Sequence, residues 1–583
     1  MTLTALDWAV LVAYFAVSVA IALAYSRRAS SSAEEFFLSG RTIPWWLAGT
    51  SMVATTFAAD TPLVVTGLTV KYGIAGNWLW WSMVMSGMLT AVFYARLWRR
   101  AGVMTDAEFA ELRYSGRPAA FLRGFRACYL ALAINTIIIG WVTAAMAKIL
   151  GLTLGVGKWQ ATVGLFLLTG FYSALSGLWG VLVTDFFQFA LAMTGCIALA
   201  FFALGAVGGM PGLLAALHAR FPDDAPLRLV PDLDSAWMPA LTFVVYVAVN
   251  WWASWYPGAE PGGGGYVAQR IMSAKNERHA LLAALWFNIA HYALRPWPWI
   301  VVALVSMVRY PGLADPESGY VRVMVDLLPP FWRGFLLAAF FAAYMSTIST
   351  QLNWGASYLV NDVYRRFWRP GRTEAHYATA GRVATVVMML VAGAVTYSID
   401  SVEGAWKFLL AIGAGTGLVY LLRWYWWRVN AWSEVSAMTT ALLVSLALQL
   451  GAGVSADDPR GFARLLLATT AVTTVVWLGV TWLTPPEPLP RLRAFYARVH
   501  PGGPGWRAVE PTAAAEGGLG GGLLQWLVGC VVVYLGLFGI GDIVLRRSWR
   551  GAVSLAVAAA LTAYLARASA IGPVAERREV RVV

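Results

Sequence analysis

The chain has 583 residues, 59% hydrophobic, 14% aromatic and only 13% charged, with a formal net charge of +13. Soluble domains carry about 25% charged residues, so this composition excludes an ordinary soluble protein. The positive charge does not signal nucleic acid, because no nucleic-acid-binding motif is present and the arginines fall in short loops between apolar blocks, where the positive-inside rule expects them.

Apolar blocks stand at about 6–26, 45–70, 76–97, 122–150, 158–176, 181–207, 237–257, 279–308, 329–361, 378–398, 404–422, 432–451, 462–484, 522–542 and 550–568. Each has about the length that spans a hydrocarbon core, which needs roughly 20 residues as a helix. The fifteen blocks predict an all-α polytopic membrane protein, with no soluble domain in the gaps. The first block has no basic residues before it and no small-residue cleavage site, and reads as a retained helix. Tryptophans at block ends, such as Trp45, Trp46, Trp78, Trp98, Trp426 and Trp427, suit an aromatic belt. Cys128, Cys196 and Cys530 all lie within apolar blocks, and no disulfide framework follows from them.

Arginine and lysine fix the expected direction. With the N-terminus outside, inner loops hold Arg27, Arg28 and Arg41, then Arg96, Arg99, Arg100, Arg113, Arg117 and Arg123, then Arg270, Lys275 and Arg278, then Arg365, Arg366, Arg369 and Arg372. Outer loops hold acids, including Asp223, Asp224, Asp232, Asp234, Asp400 and Glu403. Arg546, Arg547 and Arg550 break the pattern if both of the last two blocks cross. The segment 491–500 (RLRAFYARVH) reads as a short basic amphipathic linker helix on the inner surface. A multi-pass protein of a cell membrane, of the bacterial inner-membrane type, is expected.

Two spans look interrupted. The second reads TTFAADTP over 55–62, with an acid and a proline at mid-span; the seventh runs into WYPGAEPGGGGY over 255–266. Unwound backbone is tolerated in a bilayer only where protein buries it or a cavity needs it, and broken helices at matching positions mark the binding site of inverted-repeat transporters. A proline kink and a surface glycine loop would be the plainer accounts. The acid Asp60 argues against them, since a mid-bilayer aspartate costs roughly 2.5–3.5 kcal/mol and such residues are functional by default.

The ninth span carries AYMSTISTQ over 343–351. Positions 343, 346, 347 and 350 share one helical face, with Ser349 beside it. Such hydroxyls suit a hard cation, or they let helices pack closely. Asp185, near the inner end of the sixth span, either completes a cation site or meets water. His291 and Arg295 are unusual within a span, and Arg295 is expected to pair with a buried acid.

These stretches resemble the sodium/solute symporter family, which includes sodium/proline, sodium/galactose and sodium/sialic acid transporters. The resemblance rests on YSALSGLWGVLVTDFFQ over 172–188 followed by Gly208, Gly209 and Met210, on MSTISTQLN over 345–353, and on Gln269-Arg270 with Ser273 and Lys275. It covers about 5–450. It implies a five-plus-five inverted-repeat, leucine-transporter-like core, with one preceding helix and about four additional C-terminal helices. The corresponding segments are 1–44, a first repeat 45–210, a second repeat 211–430, and 431–583.

The resemblance also implies a principal sodium site from the backbone carbonyls of Ala58, Thr61 and Ala343 and the hydroxyls of Ser346 and Thr347. A second site, nearer the cytoplasm, would use Asp185, Ser346, Ser349 and Thr350. Asp60 falls at a substrate-facing position, and Trp255, Tyr256 and Glu260 are further candidates. The implied activity is sodium-coupled symport of a small organic solute by alternating access, with sodium as the co-transported ion and the bilayer as surroundings. Proton coupling through Asp60 and Glu260 is the rival within the class. A transporter-fold sensor would need an output domain, which is not visible. HExxH, GxSxG and Walker A motifs are absent, so no enzyme is expected.

Overall fold

A computed structural model describes residues 3–29, 39–103, 105–173, 178–253, 261–514 and 519–571. Among the described residues, eight helices are long and apolar enough to cross a membrane, and nine if the bent pair Trp45–Thr56 and Thr61–Tyr72 is one span. This is fewer than the fifteen apolar blocks. The blocks at 76–97 and 279–308 are helical but divided by short wider turns, at Thr90–Tyr94 and Ile289–Leu294. In the block at 237–257 the described residues form a helix at Ala240–Ala248 and a turn at Asn250–Trp252, and 254–257 lie outside the described residues. Hydrophobicity alone does not report such interruptions.

The helices that build the centre are α1 (Ala5–Ala29), α2 (Trp45–Thr56), α3 (Thr61–Tyr72), α4 (Gly116–Leu154) and α5 (Leu178–Gly205). They are followed by α6 (Gly265–Ser273), α7 (Pro296–Arg309) and α8 (Trp332–Ser357). Next come α9 (Val402–Gly413), α10 (Gly417–Tyr425) and α11 (Leu489–Val499). α8 continues as a wider helix to Trp368.

α2 and α8 are buried along most of their length and pack against each other and against α5, with α1 laid on α5 and α8. Small residues allow the close approaches. A Cβ added at Gly49 of α2 would stand 2.6 Å from the carbonyl oxygen of Ala283, so the neighbouring helix Glu277–Asn288 comes in backbone to backbone. α1 is tied down at its start, where Asp7 accepts the amides of Phe331 (3.0 Å) and Gly334 (2.9 Å) at the N-terminus of α8. An acid there satisfies amides that lack helical partners and complements the helix dipole.

α11 corrects the reading of 491–500. Its apolar face is covered by protein: Phe495 packs against Phe109, Trp424 and Trp506. Arg491 donates to the carbonyl oxygen of Tyr114 at 3.1 Å. The segment is docked on its own chain. After it, Leu519–Val544 and Ser548–Ile571 pack together as a pair, and only the first is among the eight apolar spans.

Candidate functional site

The chain breaks between α2 and α3, and the two halves meet at 61°. Pro62 sits in the first turn of α3, where a missing amide costs nothing. Residues 57–60 are non-helical, and Ala58, Ala59 and Asp60 are all buried. Hydroxyls serve part of the loose backbone. Thr61 donates to the carbonyl oxygen of Thr56 at 3.3 Å, and Thr56 to that of Val53 at 2.8 Å. The carbonyl oxygen of Ala58 accepts the amide of Thr61 at 3.3 Å.

Thr347 of α8 reaches the same break, donating to the carbonyl oxygen of Thr55 at 3.1 Å. One residue away, Ser346 donates to Asp185 Oδ1 at 2.5 Å. The other carboxylate oxygen, Oδ2, accepts from Ser51 of α2 at 2.6 Å. Ser346 and Asp185 are thus brought together, with Asp185 fully buried between α2, α5 and α8 instead of facing water. Ser349 is buried one turn along and donates back to the carbonyl oxygen of Ser346 at 3.2 Å. Thr350 Oγ1 is buried with no hydrogen-bond partner among the described residues. Ala343, one turn before Thr347, is buried too. The Asp185 carboxylate and the hydroxyls of Ser51 and Ser346 meet here, and oxygen donors of this kind suit a hard cation.

Asp60 is fully buried at the start of α3. Its Oδ2 accepts the indole N–H of Trp406 at 2.9 Å, and its Oδ1 has no hydrogen-bond partner among the described residues. Trp141 lies against Trp406, their rings 6.4 Å apart. Arg295 lies within electrostatic reach of the buried Asp60 carboxylate, as expected, and also serves a helix end. Its hydrogen bonds run to the end of α2, at the carbonyl oxygen of Val53 and the hydroxyl of Thr56, both at 3.2 Å. A helix C-terminus carries the partial negative charge expected of an acid. His291 Nδ1 stands 3.0 Å from the same Thr56 hydroxyl.

Trp255, Tyr256 and Glu260 lie outside the described residues. The glycines that follow are described. Gly262 and Gly263 have φ of 84° and 83°, a region open mainly to glycine. The carbonyl oxygen of Gly262 accepts the indole N–H of Trp98 at 2.8 Å, and the amide of Gly265 donates to Asp106 at 3.1 Å.

Ionic networks flank the centre. Towards the end of α3, Glu317 takes Lys148 at 2.7 Å and the amide of Glu403 at 2.9 Å, while Glu403 holds Lys71 and Lys407. Towards the start of α2, Arg126 pairs with Asp106, and Arg423 pairs with Glu434, which also accepts the Tyr114 hydroxyl. Sequence reasoning singled out neither Ser51 nor Trp406; the polar pair Thr50-Ser51 in an apolar span was a usable signal for the first. The span Val402–Tyr425, expected as one block, is continuous, with a single tighter turn at Ala414–Thr416 between α9 and α10.

A family model described as the sodium:solute symporter family matches residues 36–441. A sodium/glucose cotransporter of Vibrio parahaemolyticus is 23% identical, the match covering 77% of this chain and 86% of that protein. Sodium/glucose cotransporter 1 of Oryctolagus cuniculus is 25% identical, covering 83% and 80% respectively. Among solved structures, an outward-open sodium-coupled sialic acid symporter superposes with a TM-score of 0.65 at 19% identity, covering 83% of this chain and 99% of that one. The last likeness is one of fold.

Proposed function

The chain belongs to the sodium:solute symporter family and couples the movement of an organic solute to sodium, and we propose that it does so through two cation sites on α8. The principal site uses the carbonyls of Ala58, Thr61 and Ala343 and the hydroxyls of Ser346 and Thr347. The second uses Asp185, Ser346, Ser349 and Thr350. The observation that carries this reading is that neighbouring residues of α8 tie it to the broken helix and to Asp185 at once. A cation at these oxygens bridges α2, α5 and α8, and shifts the carrier between states by its difference in affinity for them.

The halves that rock are 45–210 and 211–430, with 1–44 preceding and 431–583 following. The protein sits in a cell membrane of bacterial inner-membrane type, N-terminus outside. Asp60 faces the solute, beside a segment that includes Trp255, Tyr256 and Glu260. A buried carboxylate next to indoles favours a solute carrying an ammonium group, since a buried charge gains from an added counter-charge and indole faces attract cations.

Uptake into proteoliposomes tests the reading. An inward sodium gradient should drive accumulation of an amine or amino acid in a substrate panel. Equal uptake driven by a proton gradient without sodium would overturn it.

A further inference from the structure

Asp185 has a third partner besides its two serines. Arg270, on α6 just after the glycine-rich stretch, is fully buried beside it, with Nη2 3.9 Å from Asp185 Oδ2. That distance is an ion pair but too long for a hydrogen bond. Ser51 fills the gap: its Oγ accepts from Arg270 Nε at 3.3 Å and donates to Asp185 Oδ2 at 2.6 Å. Arg270 Nη2 has no hydrogen-bond partner among the described residues, while Nη1 donates to Gln269 at 2.7 Å. The guanidinium therefore neutralises the carboxylate without ligating it, and keeps a donor in reserve next to it.

α6 is itself anchored to the start of the broken helix, where the amide of Ile43 donates to the carbonyl oxygen of Ser273 and that of Lys275 to Ile43. The positive charge is thus fixed to the chain while the carboxylate is shared with α8.

We propose that Arg270 is a tethered counter-cation of Asp185, occupying electrostatically the place that sodium takes at the second site. With sodium absent it pairs with the carboxylate, so the empty carrier carries no naked buried charge. Sodium binding must work against it, and Arg270 therefore lowers sodium affinity enough for release. The inference rests on reading Asp185 as a sodium ligand. Two like unit charges sharing one carboxylate in a partly polar interior repel strongly enough to change an affinity by roughly tenfold to a hundredfold. Arg270 is a positioning residue here, acting through Asp185.

Equilibrium binding of radioactive sodium to the purified full-length protein, without solute, tests this. R270Q should bind sodium at least about tenfold more tightly than the wild type, and R270K, which keeps the charge, should stay within about twofold. R270M carries the same expectation as R270Q and replaces it if R270Q does not elute as a single species. Unchanged or weaker sodium binding in a well-folded R270Q or R270M overturns the proposal. D185N separates the two readings. If D185N binds sodium as the wild type does, the second site is not at Asp185. If D185N loses a sodium and R270Q does not gain affinity, only the role of Arg270 falls.

Discussion

The hydroxyl of Thr347 donates to the carbonyl oxygen of Thr55 at 3.1 Å, and so joins the middle of α8 to the last turn before the break in α2. This bond leaves the loose backbone beyond Thr56 next to the hydroxyl-bearing face of α8. Ser346→Ala combined with Thr347→Ala is expected to abolish sodium-stimulated uptake while the protein still reaches the membrane at wild-type abundance. Undiminished stimulation in the double variant would refute the principal site.

Asp60→Asn removes the charge but keeps the acceptor for Trp406. Uptake of a cationic solute should fall by about ten- to a hundredfold, the range of a lost charge-assisted contact. Equilibrium sodium binding should persist. Unchanged uptake of the same solute would remove Asp60 from the solute path.

Glu317 is nearly fully buried and accepts from Lys148 and from the amides of Val402 and Glu403 at the start of α9. Glu317→Ala takes the acceptor from both amides, while Lys148 keeps Asp315 at 3.0 Å, at a cost of about 1–3 kcal/mol. A thermal-shift measurement in detergent should show a lower midpoint. Lys148→Met alone should cost less, since the helix end keeps its acceptor.

Gly417 opens α10 directly against the turn at Asn250–Trp252, and an added Cβ would fall 1.9 Å from the carbonyl oxygen of Trp252. Gly417→Ala should destabilise the protein by about 1–3 kcal/mol, as overpacking does. Gly404→Ala is the control, because its nearest neighbour is the Ser401 side chain at 3.5 Å. Equal effects at both sites would show that helix propensity, not the close approach, decides.

Glu111 lies on a short helix, Phe109–Arg113. Burial pushes its carboxyl up, but hydrogen bonds and charge from Arg123 and Arg366 outweigh that and hold it below its ordinary value of 4.5. A depressed carboxyl gives stability above about pH 4.5 that is lost as the pH falls through the lower, folded-state value. Glu111→Gln should therefore flatten the acid side of the stability curve below pH 4.5, read by thermal shift across pH, and lower the midpoint at neutral pH.

The break at Asp60 was legible because an acid and a proline in an apolar block are each costly, and they stand four and six residues after Thr56 of the oxygen-rich TT pair. The hydroxyl face of α8 was legible from helical spacing. Their partners were not. Ser51 is 134 residues from Asp185, and Trp406 is 346 from Asp60. No local pattern encodes such distances, and the family resemblance supplied the grouping of Asp185 with Ser346. The amphipathic pattern of 491–500 was correctly a helix, but an apolar stripe looks the same whether lipid or Trp506 covers it. The tighter turn at Ala414–Thr416 within the span Val402–Tyr425 has no mark in the hydrophobic pattern, because the turn keeps the chain helical.

The clasp of Asp7 on the amides of Phe331 and Gly334 makes the leading helix a strut for the element that carries the hydroxyls. A fusion tag or sensor that displaces the first seven residues would loosen the far end of that element, so labels for single-molecule or purification work belong at the opposite terminus.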